Sequence, residues 1–242
     1  MTEERKVEET DVVFFINSAM NVVGRSLYSN DERFKQTMET IESIDKYCPN
    51  NIKYMIEGSC IELEEEKLEA LVDKGVRILY TGKVPEIYRI SSTLTMYGIG
   101  NSLTETLAGT IFVDWFIKNE MRYIKAKRVC KLSGRYKIND NWKFDDENFK
   151  DKYVFVKHHP SNAPSKDQLG LTGLFVVRCW HMDYSLLDNF RTVIENVYSD
   201  CANLGIDAEN SYYKNIPKDK LYEVEKIGVE GYVSPVGVYE NE

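Results

Sequence analysis

Apolar and polar positions along this chain recur with two different periods, and the switches between them outline a succession of strands and helices. Asp11-Val-Val-Phe-Phe-Ile-Asn17 is an unbroken apolar run, the pattern of a strand buried on both faces. A polar loop, Gly24 to Asn30, follows. Ser29 and Glu32 then have the spacing of a capping box, and Phe34, Met38, Ile41 and Ile44 fall on one helical face. Cys48-Pro49-Asn50 predicts the end of that helix. A second strand, Ile52 to Glu57, runs into Gly58-Ser59. An acidic helix over Glu62 to Lys74 is expected to turn Leu63, Leu68, Leu71 and Val72 inward. Gly75 terminates it, and Val76 to Tyr80 is the next strand. Strands and helices alternating in this order predict an α/β fold with a mostly parallel central sheet flanked by helices. Ligands of such sheets bind beyond the carboxyl ends of the strands, where Asn17, Glu57 and Ser59 fall.

The second half is less regular. Thr81 to Gly100 has no clear period and precedes a long helix, Ser102 to Lys118, with Leu103, Leu107, Ile111 and Trp115 on one face. An extended segment, Tyr123 to Leu132, leads into Ser133-Gly-Arg-Tyr136. After polar, turn-rich residues come a short strand at Tyr153 to Lys157 and a loop, His158 to Gly170. A buried strand is expected at Leu171 to Arg178 and a helix at Tyr184 to Tyr198. Turn signals stand at Ile216-Pro217 and Ser234-Pro235. With no repeat, low-complexity tract or linker, residues 10–242 read as one domain. Residues 1–9, charged and without apolar periodicity, read as a flexible arm.

Charge alters this picture locally. A net charge of −8 argues against general binding to DNA or RNA. Yet between Lys118 and Lys137 stand eight basic residues (Lys118, Arg122, Lys125, Lys127, Arg128, Lys131, Arg135 and Lys137) against the single acid Glu120. Such a segment in an acidic protein fits a local anion site. It equally fits a basic strand edge that deters sheet-to-sheet pairing. The five cysteines, odd in number and without zinc spacing, read as reduced and mostly buried thiols. The acidic opening and short apolar runs suggest a cytoplasmic protein without a membrane span. No Walker loop, nucleophile elbow or zinc-protease motif is present, and Gly98-Ile-Gly100 lacks the rest of a dinucleotide fingerprint.

Several short runs, taken together, carry a family resemblance. They are Asp31-Glu-Arg-Phe-Lys-Gln-Thr37 with Thr40 to Ile44, Ile56-Glu-Gly-Ser59, Asn101-Ser102 with Glu105, Lys131-Leu-Ser-Gly-Arg-Tyr136, and Ile227-Gly-Val-Glu-Gly231. Their succession resembles a GT-A glycosyltransferase, a single Rossmann-type domain, and more narrowly the small glycosyltransferase-like proteins of bacteriophages and large DNA viruses. In the latter case the cytoplasm would be the host's. The resemblance implies a nucleotide diphosphate sugar as donor, bound by Asn17, Glu57, Ser59, Asn101, Lys131, Ser133, Gly134 and Arg135. A buried carboxylate at Glu57 needs donors, which a base edge would supply, although Glu57 could equally cap a helix or pair with a lysine. Asn101 could be an ordinary N-cap.

The family's Asp-x-Asp motif, which holds a divalent ion (Mn or Mg) against the diphosphate, is replaced here by Ser133-Gly-Arg135. Either Asp140 and water hold a metal, or Lys131 and Arg135 neutralise the phosphates directly. Thr172, Trp180 and His181 fall on the family's acceptor side. Glu209 falls where inverting members keep a general base, with Asp207 as a second candidate and a solvated helix-start carboxylate as the plainer reading. The acceptor would be a hydroxyl, either hydroxymethylcytosine in phage DNA (arabinosylation, for example) or a surface glycan. For DNA, the basic run and Trp180 would contact phosphate and an extruded base. A non-catalytic nucleotide-sugar or assembly-type binding protein is the alternative, and a hydrolase built on Glu209 and Asp140 a distant third.

Overall fold

The computed structural model describes residues 5–22, 26–92, 99–233 and 238–242. In chain order its strands are β1 (Glu8–Ser18), β2 (Asn51–Glu57), β3 (Val76–Tyr80), β4 (Ile124–Ser133), β5 (Tyr136–Ile138), β6 (Tyr153–Val156), β7 (His159–Pro160), β8 (Gly173–Leu174), β9 (Cys179–Asp183), β10 (Leu221–Val224), β11 (Val229–Val233) and β12 (Val238–Asn241). Its helices are α1 (Asn30–Tyr47), α2 (Glu65–Asp73), α3 (Pro85–Ser91), α4 (Ile99–Asn119), α5 (Lys166–Leu169), α6 (Leu187–Leu204) and α7 (Ala208–Asn215).

Seven strands form the central sheet in the order β10-β6-β9-β4-β1-β2-β3. Only β9 runs antiparallel to its neighbours. A three-stranded sheet, β12-β11-β5, lies beside it. Strand alternation sends Val13, Phe15, Val129 and Trp180 to one face, where α3, α4, α6 and α7 cover them. Val12, Phe14, Cys130 and Leu132 go to the other face, covered by α1, α2 and the small sheet. The first half follows the sequence expectation closely. The Ser29 hydroxyl accepts from Glu32 N at 3.2 Å while the Glu32 carboxylate accepts from Ser29 N at 2.7 Å, closing the capping box at the start of α1.

Four readings are corrected. The apolar segment Leu171 to Arg178 is not a strand of the main sheet. Only Gly173–Leu174 pairs, with β7, and the sheet strand begins at Cys179. Phe175 and Val177 are nevertheless buried, since an apolar run reports burial and not hydrogen-bond pairing. Val72 is exposed, because α2 is short and buries only Leu71 fully. In α4 the deepest apolar side chains are Ala108, Phe112, Val113 and Phe116, and the expected stripe is half-buried around them. α4 is packed by α3, α6 and α7 as well as by β2, so it is apolar well beyond one stripe. Finally, β4 is a central strand, so its basic residues do not guard an edge. The unassigned stretch after Thr81 contains α3. Gly98 and the Ser234-Pro235 turn lie outside the described residues, as do residues 1–4 of the expected arm. From Arg5 on the chain is tied down, Arg5 pairing with Glu120 at 2.6 Å. Among the described residues no helix is long and apolar enough to cross a membrane.

Candidate active site at the carboxyl edge of the sheet

Strand register builds a row of polar residues across the sheet edge. Asn17 pairs with Ser133 of β4, Ser18 with Glu57 of β2, and Glu57 with Tyr80 of β3. Because side chains alternate, Asn17 and Lys131 share the α4 face while Glu57 takes the α1 face. The edge therefore has two halves.

On the α4 half, Glu105 reaches back from the start of its helix. Its Oε1 accepts from Asn17 Nδ2 at 3.1 Å and faces Lys131 Nζ at 2.7 Å. Lys131 is buried, and it also donates to Ser133 Oγ at 3.1 Å and to the Val177 carbonyl at 2.5 Å. An ammonium has three hydrogens, so Lys131 has none left for a phosphate. The neutralising role expected of it passes elsewhere. What Lys131 does instead is hold Glu105 and the loop before β9 in place.

On the α1 half, Glu57 is fully buried and laces three loops together. Its Oε1 accepts from Met20 N at 3.2 Å, from Ser59 N at 2.9 Å and from the Ser59 hydroxyl. Ser59 Oγ in turn accepts from Asn21 N at 2.8 Å, and the Ser59 carbonyl accepts from Tyr80 Oη at 2.5 Å. The Ser59 hydroxyl thus shapes the loop. Gly134 brings the β4–β5 turn against β1, donating to the Asn17 carbonyl at 2.8 Å. A side chain there would sit 3.1 Å from that oxygen. Arg135 follows, stacked 5.9 Å from the Tyr28 ring, with its Nη1 buried and unpartnered.

Beside it lies Arg33, which sequence reasoning placed in a motif but not in the site. It is buried on α1, donating to the Ala19 carbonyl at 2.7 Å and to Ser26 Oγ at 3.3 Å. Burial and then the charge of Arg135 push its pKa down to about 10, with Glu57 acting in the opposite direction. The Arg135 pKa is lowered by burial as well, opposed by Tyr136, Tyr28 and Glu105 in that order. A signal for Arg33 was present: it shares the buried face of α1 with Thr37, Ile41 and Ile44. A cation on a core-facing stripe needs a reason.

Four buried polar atoms of this edge, Asn17 Oδ1, Asn21 Oδ1, Glu57 Oε2 and Arg135 Nη1, have no partner, while others of the kind are scattered elsewhere, among them Arg128 Nε, Tyr153 Oη and Trp180 Nε1. A ligand bound at the edge would complete the bonding of these four. Arg122 lies over the Tyr123 ring, and most of the remaining basic run is engaged. Carboxylates face Lys118 (Asp114), Lys125 (Glu9), Lys127 (Asp11), Lys131 (Glu105) and Lys137 (Glu39), and Arg128 donates to the carbonyls of Phe149 and Lys152.

Glu209 closes the α4 half. Asp207 caps α7, accepting from Asn210 N and Nδ2, both at 2.8 Å, so the second candidate is occupied as a helix cap. Ser102 Oγ accepts from Ala208 N at 3.2 Å, pinning α7 to the start of α4. Glu209 is half-buried in the first turn of α7. Burial pushes its carboxyl up to about 7, the charges of Asp207 and Glu105 add to this, and its own backbone N–H and Lys131 oppose it.

Other expected site residues lie elsewhere. Trp180 is 2% exposed, with ring centroids 4.8 Å from Phe190, 5.9 Å from Phe155 and 6.1 Å from Tyr212. It is a core residue and cannot stack on an acceptor. His181 is buried on the opposite face, its Nδ1 2.8 Å from Arg128, and burial lowers its pKa well below the ordinary value. Thr172 is exposed and contributes its carbonyl to Ser161 N at 3.3 Å. Asp140 is exposed, accepts from Tyr47 Oη at 2.7 Å, and lines a separate shallow cleft with Phe149 and Tyr222. Among the described residues no group of three or more His, Cys, Asp or Glu could hold a metal, and Asp140 belongs to none. Asn101 is exposed within the first turn of α4, its carbonyl accepting from Thr104 Oγ1 at 3.0 Å.

No protein-family model matches the sequence, and no curated protein matches it. Solved structures do. A mannosyltransferase from S. cerevisiae superposes with a TM-score of 0.56 at 10% identity, over 93% of this chain and 71% of that one. Core-mannan synthase A from Aspergillus fumigatus, in a Mn/GDP form, gives 0.51 at 9% identity over 93% and 75%. The fold is that of the GT-A glycosyltransferases. A looser overlay, TM-score 0.43 at 9% identity over 89% of this chain and 81% of the other, is with a glycosyltransferase involved in the glycosylation of the major capsid of PBCV-1.

Proposed function

We propose that this chain is a glycosyltransferase that moves a sugar from a nucleotide diphosphate sugar to a hydroxyl acceptor, with Glu209 as general base. The observation that carries the reading is Glu209 itself: a half-buried carboxylate pushed up to about 7, at the same sheet edge as the orphaned polar groups of Asn17, Glu57 and Arg135. A base is most effective with a pKa near the working pH. The Glu209 carboxylate would take the acceptor proton as the acceptor oxygen attacks the anomeric carbon. The bond from that carbon to the diphosphate breaks, and the diphosphate leaves with the electron pair. Direct displacement of this kind inverts the anomeric centre. Asn17 and Glu57 would fix the donor, so the rate would come from positioning and from stabilising the leaving group.

The GT-A fold implies a divalent cation, and the residues at the end of β4 do not fit one. Ser133 and Gly134 stand there with Arg135, which sits close enough to Arg33 to lower its pKa. Glu105, the nearby carboxylate, is engaged by Lys131. Two guanidinium groups repel a cation and attract an anion.

The two features that would have suited a DNA acceptor are largely used otherwise, since Trp180 is in the core and the five lysines of the basic run face carboxylates. A glycan hydroxyl has no such features to account for. The test is incubation with a panel of nucleotide sugars, reading nucleoside diphosphate release and thermal shift together. Release that depends on Glu209 supports the transferase. Binding without release would point to a non-catalytic nucleotide-sugar protein. A panel that neither binds nor reacts refutes both. Mass spectrometry of DNA after co-expression, with hydroxymethylcytosine unchanged, would exclude the DNA acceptor.

A further inference from the structure

We propose that Arg33 and Arg135 form a metal-independent seat for the diphosphate of the donor, on the α1 half of the sheet edge. The inference rests on the nucleotide-sugar reading and deepens it by assigning the group that takes up the leaving charge. Arg33 is 9% exposed, and neither it nor Arg135 makes an ion pair with a carboxylate among the described residues. Arg135 Nη1 is buried without an acceptor. The nearest acid that Arg33 senses is Glu57, whose Oε1 is taken up by Met20 and Ser59. Two guanidiniums so placed repel one another and have lost hydration, a cost that a free protein carries only where something offsets it.

A diphosphate is the ligand this geometry suits. Its two phosphoryl groups offer several oxygens to two planar forks, each able to bond bidentately. The adjoining orphaned atoms of Asn17, Asn21 and Glu57 are neutral or acidic and suit the nucleoside on one side and the sugar on the other. Fixed local structure presents the cations. Arg33 is locked by the Ala19 carbonyl and Ser26 hydroxyl. Arg135 is aimed by the close approach of Gly134 to Asn17 and by Tyr28. As the anomeric bond breaks, negative charge grows on the leaving oxygen where both guanidiniums already stand, so no metal or proton has to be recruited.

The experiment is calorimetric titration of the intact chain with inorganic pyrophosphate, UDP and GDP, in EDTA and again with Mn2+ or Mg2+. Binding of pyrophosphate and of at least one nucleotide in EDTA, changed less than about threefold by metal, is expected. Arg33→Met and Arg135→Met should each weaken pyrophosphate by roughly tenfold or more. Arg135→Met should keep or raise the melting temperature of the free protein, since its buried Nη1 has no acceptor to lose, whereas Arg33→Met also gives up bonds to the Ala19 carbonyl and Ser26 hydroxyl and should lower it modestly. Should either Met variant fail to fold, Arg33→Lys and Arg135→Lys keep the charge but lose the fork and should weaken binding in the same order. Binding that appears only with metal overturns the seat, as do folded variants that bind like the parent. Metal-free pyrophosphate binding without sugar transfer would retain the seat and sink the transferase reading. Transfer strictly dependent on metal would do the reverse.

Discussion

Replacing Glu209 by Gln removes a proton acceptor while keeping shape, and it should change activity and stability in opposite directions. The parent carboxyl stands at about 7 against an ordinary 4.5, chiefly through burial. Folding therefore raises its proton affinity. Between those values the native state holds more protons than the unfolded one, so this group's contribution to stability falls as pH rises from about 4.5 to about 7. At about 1.4 kcal/mol for each tenfold change in proton affinity, the ceiling on that loss is about 3 kcal/mol. Partial exposure of Glu209 reduces it to roughly 1–2 kcal/mol. Glu209→Gln should then melt higher at pH 8 by roughly 2–8 °C for a chain of this size, and differ little from the parent at pH 4.5. Its kcat should fall by roughly 10²–10⁴-fold. In the parent, kcat/KM should drop about tenfold for each pH unit below about 7, and the residual kcat/KM of the variant should lack that acid limb. Paired measurements of nucleoside diphosphate release and melting across pH 4.5–9 decide the matter. A variant that retains half the parent kcat, or one that keeps the same acid limb, refutes Glu209 as the base.

Three further perturbations probe the framework. Glu105→Gln leaves Lys131 without its carboxylate and removes a charge that raises the Glu209 pKa. It should cost about 1–3 kcal/mol by denaturant titration and move the acid limb of the pH profile downward; an unmoved limb would show that Glu209 does not sense Glu105. Gly82→Ala would place a methyl 1.8 Å from the Ser59 carbonyl oxygen, forcing apart the loops after β2 and β3. Nucleotide affinity should fall along with stability, by about 1–3 kcal/mol in the latter, and calorimetry showing unchanged affinity would dissociate these loops from the donor. Trp180→Ala should destabilise by roughly 3–5 kcal/mol as a buried aromatic truncation. Trp180→Phe should leave the acceptor KM unchanged, and a raised KM in a folded variant would return Trp180 to the acceptor side.

How much was legible in the sequence can be judged residue by residue. β1, α1, β2 and β3 follow from local rules. Each is one strand or one capped amphipathic helix whose periodicity repeats over several positions, so sequence neighbours determine the outcome. The Ser29–Glu32 cap lies three residues apart and is entirely local. Leu171 to Arg178 failed because apolar content predicts burial, and Phe175 buries against Phe155 without joining the sheet. The same limit undid Trp180 and His181. Alternation along β9 puts them on opposite faces, and packing from α6 and from the 3-10 turn at Glu147–Phe149 covers both.

The sequence by itself determined the alternating α/β order, the strand ends at which polar residues collect, and an excess of cations around Arg135. Local spacing and composition carry those properties. Tertiary structure alone decided which cations are free. Lys131 and Glu105 are far apart in the chain but meet at 2.7 Å, whereas Arg33 and Arg135, more distant still, come near enough for the charge of one to lower the other's pKa, and neither pairs with a carboxylate among the described residues. A charge's availability depends on what surrounds it in space, through desolvation and partners that follow no sequence period. The same reason sets the Glu209 carboxyl, whose pKa is raised first by burial and then by the charges of Asp207 and Glu105, with Lys131 opposing from a third element of the fold.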